Sequence, residues 1–184
     1  MNKNERKNRK EIIMEIVMES ERVYFVRMDA EYVDFYLENV NNPEIYQYIS
    51  TFPARIYTRE EEIEWVENNK HLYSFTVIDK ETGELIGNAG YHEIENEVGE
   101  LGIWIAIKHQ NNHYGREILM RLIEYGYQEL HLKRITLKVH ENNERAVHLY
   151  EKIGFYKSGR PKNIKDGIGN PTRSLNMTLK KERR

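Results

Sequence analysis

Two stretches of the chain hold residues whose types and order can do chemistry. The first is the polar run Lys108-His109-Gln110-Asn111-Asn112-His113-Tyr114-Gly115, between an alternating apolar segment, Leu101 to Ile107, and a segment with Ile118, Leu119, Leu122, Ile123 and Tyr125 at helical spacing. A strand that runs through a short loop into a helix leaves the first N–H groups of that helix unpaired, and the helix dipole adds a positive field there. A phosphate group fits such a place. The run has a single glycine, Gly115, and it also reads as an ordinary helix start capped by Asn112.

The second stretch is Asn143-Glu144-Arg145-Ala146 followed by Tyr150-Glu151-Lys152-Ile153-Gly154-Phe155. Ala146, Leu149, Tyr150 and Ile153 share one helical side, which makes Tyr150 a sound core residue. It also sets a phenol two turns beyond an asparagine at the helix start, on the same side.

These groups need a frame. The alternation of Ile135, Leu137 and Val139 predicts a strand between the two helices, and Gly154 ends the second one, so the stretch from Leu101 to Phe155 reads as strand, loop, helix, strand, helix. Upstream, the spacing of Ile13, Ile16 and Val17 predicts a short helix over 12–18, and Arg22 to Met28 a first strand. Helices follow from Asp29, from Pro43 and from Thr58, the last with an acidic first turn of Glu60, Glu61 and Glu62. Tyr73 to Asp79 and Leu85 to Ile94 make a hairpin about Thr82-Gly83, and Glu95 to Gly99 a turn. Phe155 to Gly159 begins a strand, Pro161 to Pro171 reads as a polar loop, and Ser174 to Leu179 as a last strand. The order predicts an α/β (α+β) protein: a mixed, mostly antiparallel twisted sheet of about seven strands flanked by helices.

With 184 residues the chain suits one domain with a sizeable core. A net charge of −2 gives no general pull toward nucleic acid, and the absence of cysteine removes thiol chemistry and thiolate metal sites. No apolar run is long enough to span a bilayer, and a reducing cytoplasm suits a cysteine-free chain. The basic residues among 1–10 read as a solvated tail. The histidines show no ligand spacing: His109 and His113 are loop residues, and His131, His140 and His148 read as surface groups.

Together the two chemical stretches resemble the GCN5-related N-acetyltransferase (GNAT) superfamily. In it a Gln/Arg-x-x-Gly-x-Gly/Ala segment holds the acetyl-CoA pyrophosphate, and an Asn-x-x-Ala…Tyr-x-Lys-x-Gly-Phe segment follows. Gln110, Gly115, Asn143, Ala146, Tyr150, Lys152, Gly154 and Phe155 stand at matching positions. Glu100-Leu101-Gly102-Ile103-Trp104-Ile105 is similar to the central strand of the branch with ribosomal-protein N-terminal and spermidine acetyltransferases, and Glu21 to Arg27 to its first strand.

The resemblance implies an acyl-CoA N-acyltransferase fold over 21–184, after a basic tail and short helix over 1–20. It implies an enzyme that moves an acetyl group from acetyl-CoA to a primary amine by direct attack in a ternary complex, with no metal. The acceptor is a small amine, a polyamine or a protein N-terminus, and the branch implies a homodimer through an edge strand. The pantetheine arm would lie along Ile103, Trp104 and Ile105. The amides of Gln110, Asn111, Asn112, His113, Tyr114, Gly115 and Arg116 would hold the pyrophosphate. Asn143, Ala146 and Lys152 complete the cofactor side, and Tyr150 would protonate the departing thiolate.

A primary amine near pKa 10 must lose a proton before it attacks. Glu100 is the preferred candidate for that task, with Glu93 and Glu95 on the preceding strand. Tyr32, Tyr36, Tyr46, Tyr48 and Trp65, in the N-terminal helices, would wall the acceptor side or simply fill core. One departure stands out. His113 replaces a usual glycine and Asn111 another frequent one, and a Cβ can crowd a backbone meant to approach a phosphate. That motivates a second reading, a non-catalytic binding module of the same fold.

Overall fold

The computed structural model describes residues 14–70 and 72–181. Eight strands form one sheet in the order β1-β2-β3-β4-β5-β6-β8-β7. The strands are β1 (Ile16–Glu19), β2 (Val23–Arg27), β3 (Tyr73–Asp79), β4 (Leu85–Glu95), β5 (Val98–Ile105), β6 (Arg134–His140), β7 (Tyr156–Lys165) and β8 (Pro171–Lys180). Every neighbouring pair is antiparallel except β5 and β6. The helices are α1 (Val33–Val40), α2 (Pro43–Ile49), α3 (Arg59–Asn69), α4 (Tyr114–Gln128) and α5 (Glu144–Ile153).

The two faces of the sheet carry different layers. Ile118, Leu119 and Leu122 of α4 and Val147 and Tyr150 of α5 pack on Val23, Phe25, Phe75, Ile86, Leu101, Ile135 and Leu137. Full burial of an aliphatic side chain contributes about 1.5–3 kcal/mol, so this stripe is what holds α4 on the sheet. On the other face, Val33 and Tyr36 of α1 and Val66 of α3 form a second cluster, joined by Phe35 and by Trp104 of β5. Alternation along β5 explains the split: Leu101, Ile103 and Ile105 face α4, while Trp104 faces α1 and α3.

Capping follows the sequence closely. Asp29 accepts from Glu31 N, Asn42 from Glu44 N ahead of Pro43, and Thr58 and Glu61 form a reciprocal capping box.

Three segments differ from their sequence reading. The helix expected over 12–18 is a strand where it is described: β1 pairs with β2 and buries Met18, the edge ladder overriding a helical spacing of three apolar residues. Residues 12 and 13, and the basic run before them, lie outside the described residues. The polar loop expected over 161–171 shrinks to residues 166–170, because β7 continues through Pro161 to Lys165. Since β7 is the sheet's edge, the N–H that Pro161 lacks need not be in the ladder. β5 begins at Val98 and stops at Ile105, and Ile107 turns into a one-turn 3-10 helix with Lys108 and His109. His140, expected at the surface, is buried, with Nδ1 3.1 Å from the Gln47 carbonyl oxygen, and His109, in the 3-10 turn, is buried too.

Candidate active site

β5 and β6 are ladder partners only from Val98–Arg134 to Glu100–Thr136, although both strands continue, to Ile105 and His140. Beyond Glu100 they part. Gly102 to Ile105 keep their pairing with β4 on one side and have none with β6 on the other, so the sheet opens into a wedge with free main-chain groups along β5.

The loop after β5 and the N-terminus of α4 stand at the mouth of this wedge. Among the described residues, none of the main-chain N–H groups from Asn111 to Arg116 donates to a protein acceptor. The N-cap of α4 is His113, not Asn112, and it offers no side-chain cap. The helix start at the wedge is thus left open, whereas Asn42, Thr58 and Asn143 close theirs. A row of donors backed by the helix dipole is an anion cradle.

The two departures from glycine find their place here. Asn111 has φ 66° and His113 φ 65°, both left-handed. The backbone takes the turn that glycine would take freely, with two of the residue types that tolerate it best. Both side chains are exposed, away from the packed side of the loop.

Several groups clamp the loop. Gln110 folds back, its Nε2 donating to the Ile105 carbonyl at 3.0 Å, so its side chain shapes the turn. Arg145 of α5 reaches Gln110 Oε1 at 3.4 Å. Arg22 donates to the Asn112 carbonyl at 3.1 Å and to Glu117 at 2.7 Å, and lies 4.4 Å above the Tyr114 ring. The Tyr114 hydroxyl donates to Asp79 at 2.7 Å, which holds that carboxyl below its usual range. Arg22, Asp79 and Glu117 escaped sequence reading because they come from distant strands and helices. A Cβ at Gly115 would already sit 3.3 Å from Leu149 and 3.5 Å from Ile105, so this glycine lets β5, α4 and α5 meet.

On α5, Asn143 caps the helix, its side chain accepting from Ala146 N at 3.3 Å. Tyr150 lies two turns on, 8% exposed, with its ring 5.9 Å from Phe155. Burial pushes its pKa up to about 12, so the phenol keeps its proton at neutral pH. It is bonded to no described residue. Lys152 is exposed in the last turn of α5, at the opposite end from Asn143.

On the other face of the sheet, Trp104 packs against Phe35 with ring centroids 5.6 Å apart. Tyr36 is core, its hydroxyl bonded to Thr76, while Tyr32, Tyr46 and Tyr48 are half-buried and Trp65 is exposed. Glu100 is not free: both its oxygens receive Lys138 Nζ, at 3.0 and 2.8 Å. Glu93 and Glu95 are exposed. Glu62, which sequence reading placed only in an acidic first turn, is 6% exposed and has no hydrogen-bond or ion-pair partner among the described residues. It sits one turn before Val66 on the same side of α3, and burial raises its pKa.

A sheet that splits between two parallel strands, with an open helix start at the split, is a frame that can hold a phosphate-bearing ligand. Residues 22–156 match the model of the acetyltransferase (GNAT) domain, and the chain belongs to that family. It is an enzyme of the N-acetyltransferase class. It is 29% identical over 146 residues to an uncharacterized N-acetyltransferase, p20, of Bacillus licheniformis, covering 76% of this chain and 82% of that protein. It is 32% identical over 125 residues to the spermidine N(1)-acetyltransferase of Vibrio cholerae, covering 65% and 70%. The crystal structure of spermidine N-acetyltransferase from Vibrio cholerae in complex with CoA and spermine superimposes with a TM-score of 0.75 at 25% identity, over 86% of this chain and 95% of that one. An acetyltransferase of the GNAT family from Bacillus anthracis does so with a TM-score of 0.77 over 89% and 97%, at 21% identity. No helix among the described residues is long and apolar enough to cross a membrane.

Proposed function

We propose that the protein transfers the acetyl group of acetyl-CoA to a primary amine that carries positive charge, within a ternary complex. The observation that carries this is the unpartnered run of N–H groups from Asn111 to Arg116 at the open end of the β5–β6 wedge. These amides would hold the pyrophosphate, and the main-chain groups of β5 around Ile103 to Ile105 that face away from β4 and are not taken by Gln110 would take the pantetheine arm. Acetyl-CoA supplies an activated thioester, and the chain supplies position and protons. Tyr150 holds a proton beside the wedge for the leaving sulfur, and Asn143 and Ala146 shape the start of α5. The mouth, framed by Phe35 and Trp104, would admit the amine.

A cationic acceptor suits the charges on that side. Glu62 is a buried carboxylate with no cation of its own, in the layer that covers Trp104. Buried charges are ordinarily paired, and an ammonium group from a polyamine would complete this one. The spermidine acetyltransferase relative points to the same substrate class.

Titration calorimetry with acetyl-CoA, beside a His113→Gly variant, tests the donor site. The native protein is expected to bind, because His113 already holds the left-handed turn, and the variant should bind with similar affinity. Binding by the variant alone would make the native protein the non-catalytic module. Transfer is then tested with spermidine, spermine and a short peptide amine, and the polyamines are expected to be the better substrates.

A further inference from the structure

β4 carries a bulge at His92. Tyr91 is paired with Leu101 and Glu93 with Glu100, which leaves His92 as the additional residue. Bulges re-aim a side chain, and they gather beside active sites. Here the imidazole lies across Gly102 of β5, so close that a Cβ at Gly102 would collide with Nε2 of His92. Gly102 is therefore a glycine because an imidazole occupies the space above it. It lies just past Glu100, where the β5–β6 pairing ends, and on the same side of β5 as Trp104. The ring thus stands over β5 next to the open part of the wedge, on the Trp104 face of the sheet, in a residue that remains exposed to solvent.

The charged groups that act on His92 are Glu100 of β5 and Lys138 of β6, and they hold each other. Partial burial of the ring against β5 lowers the pKa of His92 below its ordinary value, although the residue stays open to solvent. Lys138 pushes in the same direction and Glu100 against it, so the imidazole is neutral at pH 7. No hydrogen bond to a described residue occupies either ring nitrogen.

On the acetyltransferase reading above, the geometry points to His92 as the group that takes the proton from the acceptor ammonium, with Glu100 and Lys138 as the charged pair that frames it. A carboxylate clasped by an ammonium group is a weakened base, whereas a free imidazole titrates near the working pH. The step balances. One proton passes from the ammonium to the His92 imidazole and on to solvent, and the neutral amine attacks the thioester carbon. The N–C bond forms and the C–S bond breaks. The proton shed by the new amide nitrogen balances the one that Tyr150 gives to the sulfur. Sequence reading missed His92 because alternation along a strand does not show where a bulge falls.

The experiment uses the full chain with acetyl-CoA and spermidine. His92→Gln is expected to lower kcat by about 10²-fold or more at pH 7 while the calorimetric Kd for acetyl-CoA stays unchanged, which also shows that the variant is folded. The acid limb of the native kcat/KM profile should be missing in the variant, and added imidazole should restore turnover to His92→Gly. A rise in KM alone, or near-native turnover in His92→Gln with the loss appearing in Glu100→Gln instead, would overturn the assignment and return the base to Glu100. Native protein that binds acetyl-CoA and acetylates no amine would overturn the transfer reading itself, and the role of His92 with it.

Discussion

The Tyr150 hydroxyl is the residue on which the proposed chemistry turns most directly. Its ring belongs to the core, and on the proposed function its proton goes to the leaving sulfur, so Tyr150→Phe separates the two. The variant should keep its melting temperature and its affinity for acetyl-CoA, and lose about 10²- to 10⁴-fold in kcat. Since burial pushes the phenol up to about 12, kcat should show no basic limb from this group between pH 7 and 10. Glu62 makes the opposite case. Its carboxyl carries a raised pKa with no cation beside it, so its charge opposes folding at pH 7, and the penalty disappears as pH falls and it is protonated. Thermal melts of Glu62→Gln should therefore show higher stability at pH 7, with the gain shrinking toward acid. The same variant should raise KM for spermidine. A KM unchanged from native would remove Glu62 from the acceptor side.

Among the elements, α5 and α2 depend on one carboxylate in the turn between β7 and β8. Asp166, fully buried in the β7–β8 turn, accepts from Ile168 N, Asn170 N, Asn170 Nδ2 and Asn142 Nδ2. Asn142 immediately precedes the α5 cap, and Gly167 N in the same turn donates to the Gln47 carbonyl of α2 at 3.2 Å. One carboxylate so fixes where α5 starts and where α2 lies. Replacing it with alanine leaves four part-buried donors without their acceptor, and Asp166→Ala should cost roughly 1–3 kcal/mol in chemical denaturation. The capping box at Thr58 was legible as spacing. The role of Asp166 was not, because its partners are brought together by the β7–β8 pairing that sequence reading took for a loop.

For the molecule as a whole, acid should act in two stages. Burial, with Lys108 alongside, holds the pKa of His109 below its ordinary value. The unfolded chain therefore binds a proton there first, and stability begins to fall as pH drops below about 6.5. The larger loss comes lower. Asp79 is held below its usual range by Tyr114 and Thr82. For Glu117 and Asp166 burial opposes ionisation, and it is outweighed by Ser20 and Arg22 in the first and by Asn170 and Asn142 in the second. The stability these carboxylates contribute is complete above the ordinary range near about 4 and is lost as pH falls through their lowered values. Melting temperature against pH should slope gently from 6.5 and steeply under 4, and a flat curve to pH 3 would contradict this account.

The stretch from Leu101 to Phe155 declared the fold, because its apolar periods, its polar loop and its Asn…Tyr spacing are local properties that survive without knowledge of neighbours. Local signals also determined most helix starts and the β3–β4 hairpin. Tertiary structure decided what depends on pairing across distance. β1 is a strand because β2 offers it an edge, β7 runs through a proline because it is the last strand of the described sheet, and Glu100 is paired because β6 brings Lys138 alongside. It also decided that His113 can stand in for a glycine and that His92 lies over β5 next to the wedge. Backbone handedness and strand register are settled only when the whole sheet has closed.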